Sequence, residues 1–500
     1  MSSQRKKTRK TRRRFLKETG IGLALAAAPF AGSASGSSDD KRPNILFALA
    51  DDWSWPHAGA YGAPVVETPT FDHIAREGAL FHNCYVSSPS CTPYRGSALT
   101  GQHFFRLEEG SNLWSSLPSR FPVYPDLLEN AGYHVGYTGK GWAPGRLEPG
   151  GRKRNPAGPR YGNFAQFMKK HPDDRPFCFW LGSHDPHRPY KRGSGAESGM
   201  NLDDIELPAC FPDSEEVRSD VADYFWEVQR FDRQVANAFK ILEEAGETEN
   251  TIVVMTGDNG MPFPRCKTQL YDTGVRMALA IKWPAEMDGG REVTDFVNAI
   301  DFAPTFLEAA GLTPPEQMTG KSILDILTSS GTGRVKTAND HTIVGRERHC
   351  PSQEGDCSGG YPMRALRVDD YLYIRNFKPD RWPAGTPDWK NAYLDKAWLG
   401  DCDNGPTKTY MWKHRDEKGV EHLYDLAFGK RPAEELYDLK KDPDQLNNVA
   451  DKPEYAEVKQ KLSARLMSEL KELKDPRALG QGEKFDNYPY YGGVPSWPWD

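Results

Sequence analysis

Four apolar runs in this chain share one pattern, because each has the length of a buried strand and ends in polar, reactive side chains. With the residues that follow them, the runs are Asn44–Ala50 with Asp51 and Asp52, Tyr133–Thr138 with Lys140, Phe177–Gly182 with His184 and His187, and Thr251–Thr256 with Asp258 and Asn259. Continuous apolar strands of this kind are typical of parallel sheets covered on both faces. In an open α/β sheet the carboxyl ends of the strands lie along one edge, where ligands bind. The sequence therefore predicts that these polar residues meet in one site.

Helical patterns separate the strands. Thr68–Glu77 is followed by Gly78, which can end a helix, and Ser214–Ala245 repeats apolar residues at three- and four-residue spacing before Gly246. Strands that alternate with helices indicate an α/β domain with a large, mostly parallel sheet between helices.

The pattern changes after the Gly/Ser/Thr stretch at residues 329–333. Met363–Val368 and Tyr371–Phe377 alternate around a short turn and predict a β-hairpin, and Glu454–Leu473 predicts a helix. We therefore expect a catalytic domain over residues 43–335 and a smaller C-terminal α+β domain with an antiparallel sheet over residues 340–475. The tail, residues 476–500, is expected to pack on the surface.

The first 34 residues differ from the rest of the chain. They contain three consecutive arginines, Arg12–Arg14, then the apolar run Ile21–Ala31 and the small residues Gly32, Ser33 and Ala34. This order is typical of a twin-arginine export signal. The alternative, a membrane anchor, is disfavoured because the apolar run is too short to span a bilayer. We expect a bacterial protein exported to the periplasm or beyond by the twin-arginine machinery, without a stable membrane span.

Charge and cysteines limit the partners further. The signal holds nine basic residues and one acidic residue, so its removal changes the net charge from −6 to −14. An acidic body argues against nucleic-acid binding, and an anionic substrate would need a local cluster of cations.

Eight cysteines in an exported protein allow disulfides, and Cys350 with Cys357 is the local pair expected from spacing.

The strand ends offer a metal site. Asp51, Asp52, Asp258 and Asn259 supply only oxygen ligands, which select calcium or magnesium over zinc. For Asp51 and Asp52 alone a solvated turn would be the favoured interpretation, and for Asp258 and Asn259 alone a turn would be equally expected. Both pairs follow apolar strands, however, and this favours the metal site.

Cys91 begins a second reactive element. Small residues precede it, Pro93 suits a first helical turn and Arg95 lies one turn further along the same face. A helix N-terminus beside a guanidinium suits a tetrahedral oxyanion. A bare cysteine would more simply be a disulfide partner or a buried thiol.

The motifs resemble those of the formylglycine-dependent sulfatases, closest to their heparan N-sulfatase (sulfamidase)-like branch. The shared segments are Cys91-Thr92-Pro93-Tyr94-Arg95 with Leu99-Thr100-Gly101, Asp51-Asp52, Thr138-Gly139-Lys140, Ser183–Arg188, Gly257–Pro264, Lys267, Tyr271–Arg276 and Tyr361–Arg364. The resemblance implies an alkaline-phosphatase-like catalytic domain and a maturation enzyme that converts Cys91 to formylglycine.

The resemblance also implies a mechanism. Asp51, Asp52, Asp258, Asn259 and the residue at 91 would bind calcium, with magnesium as the alternative. One hydroxyl of the formylglycine hydrate would attack sulfur, while Arg95, Lys140 and Lys267 hold the sulfate oxygens. His184 would protonate the leaving group, and loss of a proton from the second hydroxyl would expel sulfate. His187 and His349 are further candidates for contact with the sulfated carbohydrate, although His187 could be a structural partner of its loop and His349 could form a surface hydrogen bond. N- and O-sulfate both stay open.

One departure leaves a role unassigned. Trp142 stands where the family usually has a histidine that contacts the formylglycine, so the base for sulfate expulsion could be His103 or His184. Two other functions remain alternatives: a phosphonate monoester or phosphodiester hydrolase of the same superfamily, and an unmodified carbohydrate-binding protein.

Overall fold

Within residues 42–498, the part of the chain that the computed structural model describes, seven strands form one large sheet. They are β1 (Asn44–Ala50), β2 (Ala79–Tyr85), β3 (His134–Gly139), β4 (Phe177–Gly182), β5 (Thr251–Gly257), β6 (Arg276–Lys282) and β7 (Arg291–Asn298). Their spatial order is β3-β4-β1-β5-β6-β2-β7. Only β6 runs antiparallel to its neighbours. The predicted mostly parallel sheet is confirmed. The predicted signal, residues 1–34, lies outside the described residues.

Three helices, Pro69–Glu77, Glu215–Ala245 and Ala456–Glu472, lie within two residues of their predicted bounds, and the described residues contain thirteen α-helices. They are α1 (Pro69–Glu77), α2 (Cys91–Thr100), α3 (Tyr124–Asn130), α4 (Phe164–Met168), α5 (Ser194–Glu197), α6 (Glu215–Ala245), α7 (Asp272–Val275), α8 (Phe302–Ala309), α9 (Leu324–Leu327), α10 (Pro406–Lys413), α11 (Glu421–Phe428), α12 (Ala456–Glu472) and α13 (Lys484–Asn487). The longest, α6, begins where the Ser214 side chain accepts a hydrogen bond from the Val217 amide and ends at Gly246, which has a left-handed backbone.

Alternate residues of β1 point into two different cores. Phe47 packs against Phe302 and Phe306 of α8 on one face. Leu46 and Ala48 belong to the core that contains the apolar stripe of α6 on the other face. Because both faces are buried, the strand is apolar throughout, and its first polar residues come at the carboxyl edge.

A second sheet of four antiparallel strands follows. It contains β8 (His341–Arg346), β9 (Met363–Val368), β10 (Tyr371–Asn376) and β11 (Glu434–Asp438) in the order β11-β10-β9-β8, and it packs against α12. The predicted hairpin is the β9–β10 pair. All described residues fall within one compact unit, so the division into domains near residue 335 stays a prediction.

Two further expectations concern cysteines and membranes. Cys350 and Cys357 are both free thiols, so the predicted pair is wrong. Cys350 lies instead 3.3 Å from the hydroxyl of Tyr490 in the tail. In residues 42–498 no helix has the length and apolar character needed to cross a bilayer.

Candidate active site

Cys91 is the first residue of α2, as the sequence predicts. Ser90 before it is extended, and Pro93 occupies the first turn, where a missing amide hydrogen costs nothing. The thiol is 2% exposed and its Sγ lies 3.5 Å from Asp51 Oδ1. Burial raises the pKa of the thiol well above its ordinary value. An unmodified Cys91 would therefore be a poor thiolate nucleophile.

Three carboxylates surround the Cys91 side chain. Asp51 and Asp52 follow β1 and Asp258 follows β5, and these strands are neighbours in the sheet. One ligand atom from each of the three, together with Cys91 Sγ, lies within 4.8 Å of the others. Asp52 adopts a φ of 75°, which is unfavourable for a residue with a side chain and marks a constrained position.

Each carboxylate has its own cation. Lys140 Nζ donates to both oxygens of Asp51 at 2.7 and 2.6 Å, and Lys267 Nζ donates to Asp52 Oδ2 at 2.8 Å. Arg95 Nε donates to Asp258 Oδ2 at 2.9 Å. The three pairs are almost entirely buried. The predicted oxygen ligands and the predicted sulfate-holding cations thus converge as one network.

The position of Arg95 differs from the expectation that it contacts sulfate. Its side chain is fully buried and does not line the cavity. Besides Asp258, Nη1 donates to the carbonyl oxygens of Lys140 and Gly141 at 2.6 and 3.0 Å. Arg95 therefore fixes a carboxylate and the backbone that carries Lys140.

The acidic cluster suits a cation. Burial and the neighbouring Asp51 raise the pKa of Asp258 to about 6 despite its contact with Arg95. Burial alone would raise the pKa of Asp51 as well, but Lys140 and the other cations hold it well below its usual value. Asn259 donates to Asp52 Oδ1 at 2.6 Å, and its own buried Oδ1 has no hydrogen-bond partner among the described residues. Hard oxygen donors around excess negative charge fit calcium or magnesium.

A cavity of about 630 Å³ opens above this cluster. Its wall includes seven of the residues that the sequence predicts for the site: Asp51, Cys91, Lys140, His184, His187, Lys267 and His349. Asp52, Asp258 and Asn259 lie beneath them, fully buried.

His187 is the histidine placed beside Cys91. One of its ring nitrogens lies within 4.8 Å of Cys91 Sγ, and Nε2 lies 3.8 Å from Asp52 Oδ2. Nδ1 lies 2.6 Å from the carbonyl oxygen of Arg188. A carbonyl oxygen only accepts, so Nδ1 carries the hydrogen and Nε2 is the nitrogen free to exchange a proton.

The other histidines have distinct surroundings. His184 lines the cavity, and burial lowers its pKa. His349 Nδ1 lies 2.8 Å from Ser90 Oγ, and burial together with Lys267 lowers its pKa well below the ordinary value. His103 lies in another cavity, with its ring stacked on Phe105. His103 therefore does not line the cavity that contains Cys91.

Sequence reasoning missed several residues of the cavity wall. Asp403 comes from a loop without a recognisable motif, and Gly493 and Pro495 come from the tail. Glu227 carried a signal, because an acid stands between the apolar positions Phe225 and Val228 of α6. Glu227 is buried and paired with Arg230, and both residues line the cavity.

Comparison with known proteins gives two family models that match parts of the chain. The sulfatase family model matches residues 43–144, and the model for the C-terminal part of N-sulphoglucosamine sulphohydrolase matches residues 265–341. The human N-sulphoglucosamine sulphohydrolase is 28% identical over 487 residues, covering 87% of this chain and 91% of the human protein.

Two solved structures share the fold. A protein in complex with its substrate D-glucosamine-2-N,6-O-disulfate superposes with a TM-score of 0.62 at 20% identity, covering 87% of this chain and 99% of its own. The phosphonate monoester hydrolase of Agrobacterium radiobacter gives a TM-score of 0.58 at 17% identity, with 86% and 96% covered. These likenesses confirm the alkaline-phosphatase-like fold.

The large sheet and its helices define the class of the fold as alkaline-phosphatase-like. The chain resembles the sulfatase family and, within it, the sulfamidase-like branch. The prediction of a sulfuric ester hydrolase is confirmed.

Proposed function

We propose that this protein is an exported sulfatase that removes sulfate from a sulfated sugar, using formylglycine made from Cys91 and a bound calcium ion. The observation that carries the proposal is the placement of Cys91 at the base of the cavity, within 4.8 Å of Asp51, Asp52 and Asp258. Lys140 and Lys267 line the same cavity beside it. A tetrahedral anion entering the cavity meets two ammonium groups at the position of the nucleophile.

The chain's own residues have separable tasks. Asp51, Asp52, Asp258 and the orphaned Oδ1 of Asn259 would hold the metal ion, which when bound supplies positive charge that lowers the pKa of a hydroxyl. Lys140 and Lys267 would hold sulfate oxygens. Arg95 keeps Asp258 ionised and in place from behind the site.

Proton transfer is assigned to His187. With Nδ1 engaged by the Arg188 carbonyl, the second ring nitrogen faces the acidic cluster and the side chain at 91. In the imidazolium form Nε2 can donate a proton to the leaving oxygen. His184, the acid expected from the resemblance, lines the same cavity and is the alternative.

Leaving-group dependence separates the two histidines. Nitrophenol leaves as an anion and needs little protonation, whereas a sugar hydroxyl or amine needs a proton. The variant His187→Ala should therefore lose far more activity on a sulfated sugar than on nitrophenyl sulfate, with His184→Ala as the matched comparison. Equal losses on both substrates for His187→Ala would refute its role as the acid.

The relatives' names suggest an amino-sugar substrate. The human relative is named for N-sulphoglucosamine, and one structural neighbour was solved with D-glucosamine-2-N,6-O-disulfate. We propose a sulfated amino sugar, processed after maturation in the cytoplasm and export to the periplasm or beyond. Incubation with N-sulfated and O-sulfated glucosamine would decide which group is removed.

The fold likeness to a phosphonate monoester hydrolase keeps a second activity open. Parallel assays with nitrophenyl sulfate and an aryl phosphodiester test the proposal, and a large preference for the phosphodiester would refute it. Intact mass of the peptide that contains Cys91 provides an independent test. A wholly unmodified peptide from the native host would favour a carbohydrate-binding protein.

A further inference from the structure

Asp403 lies in the cavity wall, far along the chain from the family motifs. Its residue number falls outside both matched segments, 43–144 and 265–341. Its carboxylate lies 3.1 Å from Lys267 Nζ, and Lys267 is only 4% exposed. Lys267 and the other nearby cations hold the pKa of Asp403 well below its ordinary value although burial opposes this. The carboxylate is therefore ionised in a cavity proposed to receive an anion.

Lys267 pairs with two carboxylates, and a bound metal ion would affect only one of them. One is Asp52 Oδ2 at 2.8 Å, which belongs to the acidic cluster. A cation held by Asp52 competes with the ammonium for that carboxylate. Asp403 does not belong to the cluster and remains available to Lys267 in either case.

The loop that carries Asp403 is rigidly built around a buried lysine. Lys408 Nζ donates to four oxygens within this loop: the carbonyls of Trp398, Leu399 and Cys402 and Oδ1 of Asn404, at 2.8 to 3.1 Å. Lys408 is 1% exposed. Because the Lys408 ammonium donates mainly to backbone carbonyl oxygens, the conformation of the loop depends on this one charged group.

The same loop is tied to both segments that supply cations and histidines to the cavity. The carbonyl oxygen of Asp401 accepts from Thr268 Oγ1 at 2.9 Å, next to Lys267. Its Oδ1 accepts from the Cys350 amide at 2.7 Å, next to His349. Both bonds are made by Asp401, two residues before Asp403, and they fix the loop relative to the segments that carry Lys267 and His349.

We propose that Asp403 is a positioning residue that holds the ammonium of Lys267 at the sulfate end of the cavity. The inference rests on the proposed function, in which Lys267 contacts the transferred group. Because Asp403 also pairs with Lys267, the ammonium group keeps its position when Asp52 is engaged by a metal ion. It also contributes negative charge, which weakens binding of the anion before reaction.

These two effects give Asp403→Asn a signature that simple damage would not produce. With Lys267 misplaced, kcat should fall by about tenfold, which corresponds to about 1.4 kcal/mol. KM for the anionic substrate should stay constant or fall, because a negative charge has left the cavity. Asp403→Glu keeps the charge and should recover part of kcat. Unfolding midpoints of all variants identify any that are merely misfolded.

A double-mutant cycle with Lys267→Gln tests the connection directly. If Asp403 acts through Lys267, Asp403→Asn costs nothing further in the Lys267→Gln background. Glu227→Gln is the matched control, since Glu227 lines the same cavity and is paired with Arg230 instead. Its effect should be the same in both backgrounds.

A crystal structure of Asp403→Asn provides a measurement that does not depend on activity. Lys267 Nζ should move from its present position, whereas an unmoved ammonium would overturn the proposal. Equal losses from Asp403→Asn with and without Lys267 would also overturn it. The cycle is run on whichever ester the wild type cleaves, sulfate or phosphodiester. Failure of the sulfatase proposal thus leaves this test intact.

Discussion

Replacement of Arg95 by methionine tests the inner half of the site. Methionine has a similar reach but no charge and no donor. The change removes the Nε contact to Asp258 at 2.9 Å and the two bonds to the carbonyls of Lys140 and Gly141. Arg95 and Asp258 are both fully buried, so no water replaces the lost contacts.

The loss of stability follows from that burial. Removing one partner of a buried ion pair costs about 3–5 kcal/mol, because an uncompensated charge stays behind. Asp258 can escape part of this cost by protonation, since its pKa is already raised to about 6. Loss of the guanidinium raises that pKa further. The destabilisation should therefore be largest above pH 6 and smaller at pH 5, where the carboxyl is neutral.

Urea unfolding of the unmatured protein, with chelator present, measures the loss of unfolding free energy in Arg95→Met at each pH. Neither maturation nor catalysis affects this measurement. Arg154→Met is the control, because Arg154 pairs with Asp126 and Glu129 at a side-chain exposure of 39%. Exposed pairs contribute about 0–1 kcal/mol. If Arg95→Met cost no more than this control, or the same at both pH values, Arg95 would not be the buried counter-charge.

Three further outcomes are expected. Calcium affinity, measured by calorimetry with the unmatured protein, should weaken as the pH falls below about 6, because a proton on Asp258 removes a ligand; an affinity constant from pH 7.5 to 5 would contradict this. In denaturant, thiol titration should find all eight cysteines before maturation and one fewer afterwards, since the eight are free thiols; a deficit of two before maturation would indicate a disulfide. Trp142→His should lower stability by about 3 kcal/mol through a core cavity and should not raise activity, because Trp142 is 2% exposed and does not line the site. Increased turnover, measured alongside the unfolding midpoint, would show that a histidine there reaches the reacting group.

The sheet could be predicted because its strands are buried on both faces. Continuous apolar runs such as Phe177–Gly182 match their strands residue for residue. The strands β2, β6 and β7 were not predicted. In β2, His82 and Asn83 are only partly buried and interrupt the apolar pattern. The strand order was also inaccessible, since pairing of β1 with β4 and β5 depends on contacts more than 130 residues apart.

The candidate site was predictable at the strand ends and at α2, where short motifs place a residue type at a fixed edge. Asp403 could not be assigned in the same way, and Glu227 carried only the signal of an acid between apolar positions of α6. Asp403 reaches the cavity through a loop whose shape depends on Lys408 and four oxygens distributed over seven residues. No local pattern of residues encodes such an arrangement.

The residue types of the site were easier to predict than the directions in which their side chains point. Arg95 and Trp142 both stand in motif segments, yet both point into the protein, one towards Asp258 and the other into the core. Trp142 stands where a histidine was expected, and its side chain lies in the core and not in the cavity wall. The reaction still needs a group that transfers a proton. The hydrogen bond from His187 Nδ1 to the Arg188 carbonyl leaves Nε2 free near the side chain at 91. In the proposed function, this short backbone contact, which the sequence does not reveal, assigns proton transfer to one of three cavity histidines.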